Sequence, residues 1–314
     1  MLTLVECCAG VGAFSIGFES TEKVKTIFAN DFNPNCKKTF DMNFSIKLDT
    51  NDLTKLKPTD IPKMDILTGG FSCQPYSIAG KRKGFDDDRS GVLWSILNIM
   101  EHHKPMCVVL ENVKNLYTHD NNQTFLTIKQ KIESFGYTVM HEIINTSDIT
   151  DIPQNRERIF LVCFLHKRHA DKFAFPEGVK ELQPICNFLE TDIADKYYYN
   201  DRFGVWKYIE NNINEHVSTN TVYQLRRKYI RKNKSNVVPC FTRNMGTGGH
   251  NVPLILDDIG IRKLTPRECF NLQGYPGSYI LPNISDSHLY QQVGNSITVD
   301  VTKKIANNII KCLC

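Results

Sequence analysis

The sequence predicts a doubly wound α/β fold, built on a mostly parallel, Rossmann-like sheet and joined by a smaller, irregular domain. Short β-rich runs alternate with helical patterns as far as residue 165, the rhythm of strand and crossover helix. Several runs are apolar on both faces, as strands buried in a parallel sheet are. After Phe175-Pro176 the rhythm dissolves into tyrosines, asparagines and basic residues, and it returns only beyond residue 260. At 314 residues the chain also exceeds one usual core.

Strands are expected over residues 2–7, 26–29, 65–68, 107–110, 137–144 and 159–165. Between them Leu93, Ile96, Leu97 and Met100 share one helical face, and Phe125, Ile128, Ile132 and Phe135 share another. Later, Thr265-Pro266-Arg267-Glu268 has the form of an N-cap, a proline at the first helical position and an acidic third residue. A last helix over about 296–312 is expected to pack back on the first domain. The division is therefore 1–175 plus 290–314 for the main domain and 176–289 for the second, with 176–260 its variable part.

Composition is that of an ordinary globular chain, without repeat or low-complexity tract. The net charge of +4 is small but unevenly spread. Residues 216–256 contain no Asp or Glu and carry Arg226, Arg227, Lys228, Arg231, Lys232, Lys234 and Arg243, a pattern suited to phosphates or simply to solvent. Eleven scattered cysteines without paired zinc spacing read as reduced thiols, and no metal is expected. No window approaches the roughly 18 apolar residues of a membrane span, and the start lacks the form of a signal peptide, so a cytoplasmic protein is expected.

The first strand runs into Glu6-Cys7-Cys8-Ala9-Gly10-Val11-Gly12, where glycines let a ligand approach the backbone at a helix start. Asp31 follows the second strand, placed to meet ribose hydroxyls, and Asp52 lies where an adenine amino group could be met. A nicotinamide dinucleotide would suit the same layout. Ser15 stands, however, at the third glycine of that fingerprint, and no hydride-transfer constellation follows.

Gly69-Gly70-Phe71-Ser72-Cys73-Gln74-Pro75 places a thiol just after the third strand, at the sheet end where open α/β folds bind ligands. A lone cysteine is more often an inert thiol than a nucleophile. Two segments alter that balance. Glu111-Asn112-Val113 follows the strand 107–110, where a carboxyl could protonate a ring nitrogen. Gln154-Asn155-Arg156-Glu157-Arg158 puts two arginines in reach of a carbonyl oxygen or a phosphate.

Together with Arg262-Lys263-Leu264-Thr265-Pro266-Arg267-Glu268 and Gly294-Asn295-Ser296, these segments resemble, in order and spacing from end to end, the C5-cytosine DNA methyltransferases of bacterial restriction-modification systems. Only about 176–260 falls outside the match, and in that family this segment recognises the target. The resemblance implies that Cys73 attacks carbon 6 of a flipped-out cytosine, Glu111 holds the proton on ring nitrogen 3, and Arg158, with Arg156 beside it, binds the base carbonyl. It implies S-adenosylmethionine as methyl donor, leaving S-adenosylhomocysteine, with a pocket drawn from Cys8, Ala9, Gly10, Gly12, Asp31, Phe32, Asp52, Leu53, Ser72, Asn295 and Ser296.

The implied partner is double-stranded DNA with a specific short site, bound by a monomer near the nucleoid, with a cognate restriction endonuclease a possible companion. Residues 79–85, basic and flanked by glycines, resemble the mobile loop that closes over the DNA in that family, and Gln74, Ser77, Lys81 and Arg82 are expected DNA contacts. Arg226, Arg227, Arg243, Asn244, Gly248 and Gly249 are the expected contacts from the variable segment. Three departures bear on rate and donor affinity: Ser72 stands where the family has proline, Cys8 where it has a phenylalanine against adenine, and Phe32 where another large residue often lines the donor pocket. Cys240-Phe241-Thr242 also resembles the tRNA-methylating branch, which leaves a tRNA cytosine-5 methyltransferase as one alternative and an inactive DNA-binding homologue as another.

Overall fold

A computed structural model describes residues 1–71, 91–178, 181–204, 206, 209, 221–226, 229–233, 236–245 and 252–314. The chain divides into two compact units. The first comprises Met1–Ile144, Glu157–Pro176 and Val301–Cys314, the second Asn145–Arg156 and Glu177–Asp300. In chain order the strands are β1 (Leu2–Cys7), β2 (Val24–Asn30), β3 (Ile66–Gly70), β4 (Cys107–Val113), β5 (Thr138–Asn145), β6 (Gln154–Asn155), β7 (Glu157–Phe164), β8 (Val222–Arg226), β9 (Tyr229–Lys232), β10 (Val238–Pro239), β11 (Val252–Leu256) and β12 (Ile261–Lys263).

In the first unit a six-stranded sheet runs β2-β1-β3-β4-β7-β5. The pairings β1–β2, β1–β3 and β3–β4 are parallel, and β7 runs antiparallel to β4. Residues 107–110 and 159–164 are almost wholly buried, which explains why they read as unbroken apolar runs rather than alternating ones. Leu93, Ile96, Leu97 and Met100 line the buried face of the helix Gly91–His103. Phe125, Ile128 and Ile132 do the same for the helix Gln123–Ser134, which ends before Phe135. The last helix, Val299–Leu313, buries Val301, Ile305, Ala306, Ile309 and Ile310. From it Thr302 donates to the carbonyl of Ala13, within the same unit.

Helix α1 (Ala13–Glu19) begins in an unusual way. Its N-cap is Gly12, in the left-handed region, and no cap side chain closes the turn. The acceptor is supplied by Glu6 at the end of β1, whose carboxylate accepts from the Phe14 amide at 3.2 Å, the Ser15 amide at 2.9 Å and the Ser15 hydroxyl.

The second unit holds regular structure that the composition of residues 176–260 does not announce. Strands β12-β11-β8-β9 form an antiparallel sheet, and β6 pairs in parallel with β10. Val222–Leu225 and Val252–Ile255 are each buried along their length, so polar and basic neighbours, not the strands themselves, give the segment its irregular look. The expected cap is formed. Thr265 and Glu268 exchange side-chain to backbone hydrogen bonds at the start of the helix Pro266–Asn271, with Pro266 at its first position. Glu268, fully buried, is bound twice by the Arg262 guanidinium, at 2.8 and 2.9 Å.

Candidate active site

At the end of β1 the chain turns through Cys8 and Gly10, with φ of 54° and 55°, before Gly12 at 79°. The turn is tied to β2 at two points. Ala9 donates to the carbonyl of Asn30, and Gly10 donates to Oδ2 of Asp31, both at 2.9 Å. Nothing lies within 4 Å of where a Cβ on Gly10 would sit, so the backbone faces open space there. Cys8 is half-buried, and burial drives its thiol well above the ordinary cysteine range, as does its neighbour Cys7.

Burial raises the Asp31 carboxyl, against the pull of the Asn33 and Gly10 amides. Next to it Phe32 is 76% exposed, an aromatic ring with a bare face. The following loop is pinned by Asn30, whose amide donates to Oδ1 of Asp49 at 2.7 Å and to the carbonyl of Asn51 at 2.9 Å. This leaves Leu53 buried and Asp52 exposed. The hydroxyl and amide of Thr54 lower the Asp52 carboxyl.

Across β3 and β4, Gly70 stands opposite Glu111 in the parallel register. Glu111 meets Arg158 from β7, with Nε 3.0 Å from Oε1 and both side chains less than 15% exposed. Arg158 also donates from Nη1 to the carbonyl of Glu157. Beside them Asn112 donates to the carbonyl of Phe71 at 2.7 Å. Asn112 lies within the Glu-Asn-Val motif, which alone assigns it no role. Its position after a strand of unbroken apolar character was the available sign. Ser72, Cys73, Gln74, Ser77, Lys81 and Arg82 lie outside the described residues, as do Arg227, Gly248 and Gly249.

Arg156, expected beside the base carbonyl, has a buried setting of its own. It belongs to the second unit, is 2% exposed, and its guanidinium is hydrogen-bonded to backbone carbonyls there. Asn295 and Ser296, also in that unit, part company. Asn295 is exposed, whereas Ser296 is buried with its hydroxyl bonded to the Tyr275 hydroxyl at 2.6 Å. Arg226 is half-buried at the end of β8, and Arg243 and Asn244 are exposed.

The fold is that of known methyltransferases. The chain matches the Dnmt2 methyltransferase of S. pombe with a TM-score of 0.77 at 20% identity, covering 100% of this chain and 99% of that one. A putative DNA modification methyltransferase encoded within a prophage of E. coli matches with a TM-score of 0.70 at 17% identity, covering 100% and 99%. The chain belongs to the family of C-5 cytosine-specific DNA methylases, whose family model matches residues 2–311, and is an enzyme of that activity, a DNA (cytosine-5-)-methyltransferase. It is 44% identical to the type II methyltransferase M.Bsp6I of Bacillus sp. (strain RFL6), over 100% of both chains. It is 35% identical to the type II methyltransferase M.HaeII of Haemophilus aegyptius, over 98% of this chain and 93% of that one.

Proposed function

We propose that the enzyme modifies one cytosine within a specific short duplex sequence, with Cys73 as nucleophile, Glu111 as acid and Arg158 as the group that holds the base carbonyl. The observation that carries this reading is the Glu111–Arg158 ion pair between β4 and β7, with Glu111 opposite Gly70, which precedes Cys73 by three residues in the sequence.

The chemistry suits these groups. Carbon 5 of cytosine is a weak nucleophile. Addition of the Cys73 thiolate at carbon 6, with protonation of ring nitrogen 3 by Glu111, makes the ring an enamine. Arg158 would hold the glutamate in place before the base arrives and take the carbonyl oxygen afterwards. Once carbon 5 carries the methyl group, loss of its proton expels the Cys73 thiolate and restores aromaticity. The base must leave the duplex stack for this, at a cost of a few kcal/mol.

The residues of the turn after β1 fit S-adenosylmethionine. Gly10 leaves the backbone open, Asp31 offers carboxylate oxygens beside it, and the bare Phe32 ring suits stacking of a planar base. When bound, that group supplies an electrophilic methyl on a sulfonium. In this reading residues 1–175 plus 290–314 are catalytic and 176–289 choose the target, with Arg226, Arg243 and Asn244 toward the DNA. The type II methyltransferase relatives favour protection of DNA against a cognate endonuclease, and in this reading the enzyme acts as a monomer in the cytoplasm. No described helix is long and apolar enough to cross a membrane.

The test is transfer of labelled methyl from S-adenosylmethionine to unmethylated duplex DNA and, in parallel, to tRNA, with Cys73→Ser as control. Labelling of DNA that vanishes in the variant supports the reading. Labelling of tRNA alone moves the substrate to RNA, and DNA binding without labelling removes the catalytic role.

A further inference from the structure

Arg156 sits in a buried polar cluster that the chemistry above does not use. Its Nη1 donates to the carbonyl of Phe241 at 3.0 Å and lies 3.4 Å from the sulfur of Cys240. Its Nη2 donates to the carbonyl of Gly294 at 3.1 Å and to that of Ser296. Two segments far apart in sequence are thereby joined through one planar fork of donors, a geometry that an ammonium group does not reproduce.

A second observation places the same two segments in backbone contact. A Cβ on Gly294 would fall 2.5 Å from the carbonyl carbon and oxygen of Thr242 and 2.7 Å from the amide nitrogen of Arg243. Only a residue without a side chain lets them approach so closely. The turn is held from its other side by Gln273, whose amide donates to the carbonyls of Val293 at 2.9 Å and Ser296 at 3.3 Å. The exposed pair Arg243 and Asn244 therefore issues from a backbone clamped at Phe241, by Arg156, and at Thr242, by Gly294.

We infer that Arg156 is a positioning residue for target choice, holding the segment 240–244 in register on the turn 294–296 so that Arg243 and Asn244 meet base edges in one geometry. The inference rests on the proposed base-reading role of that pair. Lysine at 156 keeps the charge but leaves buried carbonyls without a donor, so the segment shifts while Glu111 and Arg158, in the other unit, are untouched.

The full chain is incubated with S-adenosylmethionine and unmethylated plasmid DNA, and bisulfite sequencing reads every methylated cytosine with its flanking bases. Arg156→Lys is expected to raise methylation at sites one base removed from the target about tenfold relative to the target itself. Its KM for DNA rises more than its kcat falls. Gly294→Ala, with Arg156 intact, is expected to broaden the pattern in the same way. A wild-type pattern in Arg156→Lys with the loss confined to kcat overturns the inference, because a group acting on the cytosine behaves so. Wild-type patterns in Arg243→Ala and Asn244→Ala instead refute the base-reading role, and the Arg156→Lys pattern then decides its own case. Should that variant not fold, hydrogen exchange in the wild-type chain decides. Peptides over 240–245 and 292–298 are expected to open together in rising denaturant, and independent opening overturns the inference.

Discussion

Asn112 donates from its amide to the carbonyl of Phe71 at 2.7 Å, linking β4 to the last described residue before Ser72-Cys73. Both residues are buried, and Oδ1 of Asn112 accepts from the Val113 amide at 2.8 Å. With Ser72 in place of the proline that the family resemblance leads one to expect, no ring restrains the backbone there. The side chain of Asn112 holds the carbonyl of Phe71, the residue before Ser72. Replacing it by alanine leaves a buried carbonyl unpaired, at about 1–3 kcal/mol. Asn112→Ala is expected to lower the denaturation midpoint and slow single-turnover methyl transfer, with binding of S-adenosylhomocysteine unchanged by calorimetry. Full transfer rate in a destabilised variant would confine the bond to a structural role.

Glu111→Gln keeps the shape of the side chain and removes both its charge and its strength as an acid. Single-turnover transfer is expected to fall by roughly 10²–10⁴ while DNA affinity, measured by anisotropy, stays near that of the wild type. A rise in KM alone would place Glu111 outside the proton transfer.

Gly10 and Gly12 share the left-handed conformation but have different surroundings, and alanine separates them. At Gly10 a methyl group enters open space, so the fold loses only roughly 1–2 kcal/mol of backbone strain while the donor loses room. At Gly12 it collides with the ring of Phe44, which is stacked on Phe40 with centroids 4.1 Å apart. Calorimetry with S-adenosylhomocysteine is expected to show weakened binding in a stable Gly10→Ala. Thermal denaturation is expected to show the larger stability loss in Gly12→Ala, and the reverse order would displace the donor from this turn.

Burial raises the Glu6 carboxyl to about 7, against 4.5 for a free glutamate. Between those values the folded chain keeps a proton that the unfolded chain has released. Stability therefore falls as pH rises from about 4.5 to about 7 and levels off above it. The groups that act on it or feel its charge are the Ser15 hydroxyl and amide, the Phe14 amide, and the side chains of Cys7, Cys8 and Glu19. Glu6→Gln, which cannot ionise, is expected to give a flatter plot of denaturation midpoint against pH. Asp31, also raised by burial, leaves a residual slope of the same sign, so the difference between the two plots is the quantity that tests Glu6.

The sheet of the first unit was legible because its strands are short, apolar and separated by amphipathic helices; β1 falls on the expected residues, and the other five lie within three residues of expectation. The partnership of Glu111 and Arg158 was legible only as a pair of motifs, since β4 and β7 are neighbours through a pairing that two residues 47 apart in the chain do not reveal. Glu6 escaped because an acidic residue at a strand end looks like a ligand group, whereas here it completes a helix start. The setting of Arg156 was hidden for a related reason. An arginine two residues from Arg158 suggests a shared task, but burial and acceptor count depend on Phe241, Gly294 and Ser296, which local spacing cannot bring into view.

The chain leaves the first unit after Ile144, re-enters it at Glu157, leaves again after Pro176 and returns at Val301. During synthesis, β7 and the closing helix emerge on either side of most of the second unit. The six-stranded sheet can assemble once β7 is out, but the face against which Thr302 and Ile305 pack stays uncovered until the helix Val299–Leu313 leaves the ribosome. The enzyme is thus ordered in time as well as in space. The second unit, Asp300 included, is fully translated before the first can close, so a nascent chain stalled anywhere short of Val301 carries an exposed apolar surface on which chaperones can act.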